Sequence, residues 1–375
     1  MYITRLDLKN FRNLTAQTVV FSPHVNVVMG DNAQGKSNLL EAVFYFGGGK
    51  SFRARREQEL IRFGETAAVL TAHIVSGSRS QTLEARFSAG ARRVLSANGA
   101  KLSSPRELVG RLPCVFFGPE NLDIVRAGAA SRRRFLDLAL CQLRPRYLTA
   151  LSEYVRLYGH KTRLLRDSRP GTALPDALPV FNNRLAAAGA ALTRYRLDFA
   201  ARVTPAAAVL HGAISGGREA LSLRYVTHGG LGPDDPEEAL AAGLLALMEE
   251  RAEAERAAAR CLVGPHRDDI ELLLDGMPMR AFGSQGQSRT AALALKLAER
   301  DIFREELGEP PVLLLDDVLS ELDGRRQDFI LHRLEGGQVI ITSCEPGRAT
   351  RLPEGKNLLV ENGRVTADNN GSDNR

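Results

Sequence analysis

The octapeptide Gly30-Asp31-Asn32-Ala33-Gln34-Gly35-Lys36-Ser37 fits the pattern G-x-x-x-x-G-K-[S/T]. It follows a short apolar run, Val25-Asn26-Val27-Val28-Met29, and precedes an apolar helical stretch, residues 38–46, closed by three glycines. A strand, a Gly-rich loop and a helix in that order build a phosphate cradle. Gly30 and Gly35 let successive backbone N–H groups curl toward one anion, and the new helix adds its positive end. In such a loop Lys36 reaches the β- and γ-phosphates, and the Ser37 hydroxyl takes a place on Mg²⁺. Residues 30–37 are therefore expected to bind a nucleoside triphosphate, ATP with Mg²⁺.

The 375 residues are enough for two or three domains with a large core. No apolar run approaches the roughly 18–20 residues of a membrane span. The opening residues 1–8 alternate like a strand and lack the apolar core of a signal peptide. Cys114, Cys141, Cys261 and Cys344 are far apart and form no C-x-x-C pair. They read as reduced thiols, so a cytoplasmic location is expected. The histidines do not cluster with Cys or acidic residues at metal-ligand spacing, so no zinc site is expected. The net charge is +6, with forty-three arginines against seven lysines. Arginine pairs well with phosphate, which suits a nucleic-acid surface. A GC-rich genome produces the same excess, so this feature alone does not decide.

The pattern predicts an interrupted domain. Residues 2–8 and 18–21 read as strands leading into the phosphate loop. Short β-type runs follow at 67–74, 81–87 and 92–96, with Asn98-Gly99 as a hairpin turn before 100–102. They suggest a small antiparallel lobe, and 112–117 is a further apolar strand. From about residue 121 helical periodicity takes over, at 132–143 with Ser131 as N-cap, then at 146–167, 180–212 and 237–262. A Pro/Gly-rich break lies near 169–179, and one β-like run at 221–225. Strand character returns at 270–274, with Asp275-Gly276 as a turn. The domain reading is an ATPase head from 1–120 and 263–367, an inserted, mostly helical arm at 121–262, and a disordered tail at 368–375.

The late motifs refine the class. Val312-Leu313-Leu314-Leu315-Asp316-Asp317 is a buried-strand run ending in two carboxylates. The first orients Mg²⁺ in phosphate-loop enzymes, and Asp317 can orient or deprotonate the attacking water. Ser320-Glu321-Leu322-Asp323 follows. Ahead of this strand, Phe282-Gly283-Ser284-Gln285-Gly286-Gln287 opens a helical run at 288–307, a second anion site at a helix N-terminus.

Phosphate loop, S-x-G-Q signature, acidic strand and S-x-L-D loop, in that order, resemble the ABC-type ATPase heads of the Rad50/SMC/RecF group. Leu8-Lys9-Asn10-Phe11-Arg12-Asn13, Ser131-Arg132-Arg133-Arg134-Phe135-Leu136-Asp137 and Gly264-Pro265-His266-Arg267-Asp268-Asp269 narrow the resemblance to the RecF family, over nearly the whole chain. It implies an α/β fold: a mixed-sheet ATPase head with an antiparallel β lobe and an inserted helical arm. It also implies an ATP-dependent homodimer with weak ATPase activity, binding single-stranded and duplex DNA at gap junctions. The implied partners are RecR and RecO, the implied task is loading RecA and supporting the SOS response, and the implied setting is the nucleoid. Arg12 would lie near the phosphates. Ser284, Gln285, Gly286 and Gln287 would cap the γ-phosphate held by a second subunit, with Ser320 and Asp323 at the same seam. Three departures predict slow hydrolysis. No glutamine follows the 112–117 strand, the usual catalytic Glu is Asp317, and Ser343-Cys344 stand where many ABC enzymes carry a switch histidine.

Pairing two heads would align their basic surfaces into one groove for DNA phosphates. Lys50, Arg53, Arg55, Arg56, Arg132, Arg133 and Arg134 are candidates; the alternative for each cluster is a solvated face or an internal salt-bridge network. Few aromatics and no Trp argue against base stacking. The Gly264–Asp269 stretch reads as a structural turn re-entering the head, with Arg267 paired to a carboxylate. Two rival classes rank lower. In a transporter subunit the signature follows the phosphate loop far sooner, whereas here Ser284 comes 248 positions after Lys36. A short-armed SMC-type head organising DNA would need heptads sustained through the insertion.

Overall fold

The computed structural model describes residues 1–167, 178–228, 232–318, 324–333, 336–344 and 355–367. The chain divides into two compact units, Met1–Asn121 with Glu299–Arg375, and Leu122–Ala298. The re-entry expected at 263 therefore comes later, inside the helix Gln285–Leu307. The Gly264–Asp269 turn and the signature belong to the inserted unit.

The first unit holds two six-stranded sheets. The antiparallel one comprises β1 (Tyr2–Lys9), β2 (Gln17–Val20), β4 (Ala67–Ser76), β5 (Arg79–Ser88), β6 (Val94–Ala97) and β7 (Ala100–Lys101), in the order β2-β1-β4-β5-β6-β7. Between β6 and β7, Asn98 and Gly99 both have positive φ, the requirement of a type I′ turn. The second sheet comprises β3 (Val25–Met29), β8 (Cys114–Phe117), β12 (Val312–Leu315), β13 (Val339–Ser343), β14 (Gly355–Glu361) and β15 (Arg364–Ala367), in the order β15-β14-β3-β13-β12-β8. All its pairs are parallel except β14 with β15. Strands β8, β12 and β13 are buried along their whole length, as unbroken Val/Ile/Leu/Phe runs are in a parallel sheet covered on both faces. Helix α1 (Lys36–Gly48) packs on β8 and β13 of one sheet and on β4 of the other, which is why nearly all its side chains are buried.

The inserted unit is built from α2 (Asp123–Arg126), α3 (Ala129–Leu143), α4 (Pro145–Asp167), α5 (Leu178–Ser215), α6 (Glu237–Glu250), α7 (Ala252–Ala258), α8 (Met279–Phe282) and the start of α9 (Gln285–Leu307). An antiparallel sheet β11-β10-β9 accompanies them, formed by β9 (Leu221–Val226), β10 (Asp269–Leu274) and β11 (Met277–Pro278). The arm is thus helical with a sheet of its own. Helix α5 packs against α4 and α6, burying Leu185, Leu192, Phe199, Val203, Leu240, Leu244 and Met248. Two helix limits differ from expectation. Ser131 lies inside the first turn of α3, its N–H bonded to Gly128 O, and Gly128 is the cap. The run 237–262 is two helices because Arg251 leaves helical geometry and Ala259 turns left-handed. α10 (Gly324–Arg333) completes the described helices. The expected break near 169–179 falls mostly outside the described residues, and Ser320, Asp323 and the tail lie wholly outside them.

Candidate nucleotide site

Four loops meet at the carboxyl ends of four neighbouring parallel strands, where open α/β sheets place their ligands. They are the phosphate loop after β3, Ser343-Cys344 at the end of β13, Asp316-Asp317 after β12 and Gly118-Pro119-Glu120 after β8. Gly30 has φ +145, and a Cβ there would sit 2.3 Å from Val360 O. Gly35 has φ +122, and its Cβ would collide with the Asn13 side chain. Both positions need glycine so that the loop can close on itself.

A cavity of about 270 Å³ opens here, lined among others by Lys36, Ser37, Arg53, Asp316, Asp317 and Cys344. Lys36 Nζ donates to Gly30 O at 2.6 Å and Asp31 O at 2.8 Å, and lies 3.3 Å from Cys344 Sγ. Asp316 is buried. Its Oδ1 accepts from Ser37 Oγ at 2.8 Å and Thr342 Oγ1 at 2.9 Å, and Arg53 pairs with Oδ2 at 3.1 Å. Thr342 also accepts the Asp317 N–H at 2.8 Å, fixing Asp317 in a left-handed backbone conformation of φ +52. Arg53 Nε donates to Glu120 at 2.7 Å. Burial works against the Arg53 charge, but Glu120, then Asp316 and Glu41, hold its pKa above the ordinary value.

Several of these partners were invisible in the sequence. Asn13 donates to Gln34 O at 2.8 Å and accepts from Asn38 at 2.8 Å, so it braces the phosphate loop from outside. On the other side the Asn362-Gly363 turn binds Gln34 through two backbone N–H groups. Thr342 and Glu120 carried no motif. Glu120 does offer a signal: it is the first carboxylate after a buried strand that ends where the ABC glutamine is missing.

The other expected site residues separate. Arg12 does not line the cavity; its guanidinium forks onto Glu41 of α1 at 2.9 and 2.8 Å and donates to Glu59 O. Arg53, though exposed, pairs with the carboxylates Glu120 and Asp316. Arg132 does not stand on the surface. It is buried, forks onto Asp269 at 2.7 and 2.9 Å, and donates to Ala127 O. Arg133 is partly buried and donates to Asp268 O at 2.6 Å. Lys50, Arg55, Arg56 and Arg134 are exposed. Ser284 and Gln287 form a capping box on α9: Ser284 Oγ accepts the Gln287 N–H, and Gln287 Oε1 accepts the Ser284 N–H. Gln287 Nε2 also reaches Glu219 at 2.9 Å, while Ser284 and Gln285 are exposed.

The Gly264–Asp269 turn is a polar knot within the inserted unit. Asp268 accepts from Tyr225 at 2.6 Å and the His228 N–H at 2.8 Å, and Arg196 donates to Pro265 O at 2.8 Å. Asp269 pairs with Arg132 and Asp268 with Tyr225, and the carboxylate expected to pair with Arg267 is not found among the ion pairs of the described residues. Among the described residues no group of His, Cys, Asp and Glu is arranged to hold a metal on its own. No described helix is long and apolar enough to cross a membrane.

This arrangement has close counterparts. A sequence model described as RecF/RecN/SMC N terminal domain matches residues 2–364. The DNA replication and repair protein RecF of Acetivibrio thermocellus is 35% identical over 97% of this chain and 100% of its own length. That of Acaryochloris marina is 38% identical over 97% of this chain and 99% of its own. The chain belongs to the RecF family. A solved structure described as the recombination mediator protein RecF-ATP in the RecFOR pathway superposes with a TM-score of 0.92 at 33% identity, covering 98% of this chain and 97% of its own. The Smc head domain of Pyrococcus furiosus shares the fold alone, with a TM-score of 0.57 at 16% identity. The fold is therefore the α/β ATPase head of the RecF and SMC proteins.

Proposed function

We propose that the chain is an ATP-switched DNA-binding protein of recombinational gap repair, a weak ATPase that dimerises around nucleotide and hands gapped DNA to the RecR and RecO mediators for RecA loading. The observation that carries this reading is the convergence of Lys36, Ser37, Asp316 and Asp317 on one cavity in a RecF-family head.

The residues present fit ATP with a divalent cation. Ser37 and the buried Asp316 already share a hydrogen bond, so two oxygen ligands stand together at the cavity. Lys36 would leave the loop carbonyls for the phosphates, an exchange of one set of oxygen acceptors for charged ones. When bound, Mg²⁺ would neutralise charge on the phosphate oxygens. Arg53 supplies positive charge to Asp316 without the cation and would have to yield to it. Asp317, its backbone held by Thr342, would orient the attacking water. One methylene shorter than the usual Glu, and without a histidine after β13, it supports slow turnover. ATP then acts mainly as a clamp and hydrolysis as its release. The clamp's other half is Ser284–Gln287 of a second copy, whose exposed Ser284 and helix N-terminus can meet a γ-phosphate.

Light scattering with and without ATP and Mg²⁺, followed by titration of gapped, single-stranded and duplex DNA, tests the reading. It fails if nucleotide neither dimerises the protein nor raises its DNA affinity, or if a strictly monomeric preparation turns ATP over rapidly.

A further inference from the structure

Among the described large hydrophobic side chains Phe63 is the most exposed. Leaving a Phe ring in water forgoes roughly 1.5–3 kcal/mol of burial, so a soluble head gains nothing from it unless something covers it. The backbone that carries the ring is firmly held. The Glu65 N–H bonds to Arg62 O at 3.0 Å and Gly64 has φ +85, while Phe63 itself has no positive φ. That is a type II turn with Phe63 at its first corner. The turn is fastened to the Asn10–Arg12 segment by a β-bridge between Ile61 and Phe11, made of two bonds: the Arg62 N–H to Asn10 O at 2.8 Å and the Arg12 N–H to Leu60 O at 2.9 Å. The Arg12 guanidinium adds a third tie through Glu59 O and anchors the whole to Glu41 of α1. Little loop entropy remains to be lost when the ring is covered.

The surroundings name the chemistry of the cover. Lys9, Arg55 and Arg56 are exposed and Arg62 is half-buried. None of the four has an ion pair among the described residues. The acids of the same segment are mostly spent: Glu57 pairs with Arg93 at 2.5 Å, and Glu59 accepts the backbone N–H groups of Arg55 and Arg56. The Glu59 and Glu65 charges together oppose four cations, which leaves the segment net positive. An exposed aromatic on a fixed turn, among arginines without ion pairs, matches a polyanion with flat faces. An apolar protein pocket would leave those arginines without partners.

We propose that Phe63 is a base-stacking anchor: the turn 62–65 receives an unpaired base of single-stranded DNA while Lys9, Arg55, Arg56 and Arg62 hold the flanking phosphates. This rests on the DNA-binding reading above and gives it a preference, for DNA with an unstacked base over intact duplex. It also reverses the expectation drawn from the low aromatic content, because one exposed ring on a preorganised turn suffices.

The chain contains no tryptophan, so Phe63→Trp is a single-fluorophore reporter at a position where added bulk meets only solvent. With oligo-dT, the indole emission of Phe63→Trp is expected to be quenched in step with binding followed by anisotropy. Phe63→Ala is expected to bind oligo-dT about tenfold more weakly, the loss of one stacked base, with its salt dependence unchanged. Arg56→Ala should flatten that salt dependence. The inference is overturned if DNA binds while the indole emission stays constant and Phe63→Ala binds as tightly as the parent. It is equally overturned if Phe63→Ala loses only RecR or RecO binding, which would make the ring a protein anchor. If the parent protein binds no DNA at all, the DNA-binding reading itself has failed.

Discussion

Asp316 is held by three side chains at once, with Ser37 and Thr342 on one oxygen and Arg53 on the other. A buried carboxylate needs such compensation, and in the nucleotide-free head Arg53 provides the charge. Removing it should relieve competition for the cation: Arg53→Ala is expected to bind Mn²⁺ a few-fold more tightly without nucleotide, read by paramagnetic resonance titration. Unchanged or weaker binding would mean that Arg53 does not compete. Asn13→Ala removes a side-chain bond worth about 0.5–1.5 kcal/mol from the phosphate loop. It should weaken ATP binding roughly two- to tenfold in calorimetry with the melting temperature nearly unchanged. His266 gives the inserted unit a pH response. Burial, opposed by its bond to Cys261 O, lowers its pKa from 6.5 to about 4. The folded chain keeps it neutral while the unfolded chain protonates it, so its stabilisation is complete above pH 6.5 and is lost as pH falls toward 4. Thermal melts should show that loss, and His266→Gln should flatten it; a parent curve flat across this window would refute the assignment.

At the scale of elements, legibility followed burial. β12 and β13 were readable because strands buried on both faces announce themselves as unbroken apolar runs, and the phosphate loop because its glycines and lysine stand at fixed spacing. Arginine roles were not readable. Arg132 looked like a DNA contact because a sequence displays the charge and hides the partner, and its partner Asp269 lies on β10, far along the chain. The later domain boundary was misplaced for a similar reason: β10 begins with strand character, but it pairs with β9 of the arm, not with the head sheet. Arg132→Ala leaves Asp269 without its fork and should destabilise the protein by about 2–4 kcal/mol, near the range for breaking a buried ion pair. Affinity of the folded fraction for DNA should not change. A protein of parent stability that has lost DNA affinity would restore Arg132 as a contact.

At the scale of the molecule, the account turns on a site divided between two copies. The phosphate loop, Asp316 and Asp317 stand together in the first unit, whereas the signature Ser284–Gln287 stands in the second, where it caps α9 and Gln287 reaches Glu219. Its exposed Ser284 has work to do once another subunit's nucleotide arrives. Ser284→Arg should therefore block dimerisation and leave ATP binding intact, while Lys36→Arg should weaken nucleotide binding and dimerisation together. The most direct test is the mass of the chain in solution, by light scattering, with ATP and Mg²⁺ for the parent and for Ser284→Arg. The account predicts a dimer for the parent and a nucleotide-bound monomer for the variant. A parent that stays monomeric with ATP bound, or a variant that dimerises equally well, would contradict it.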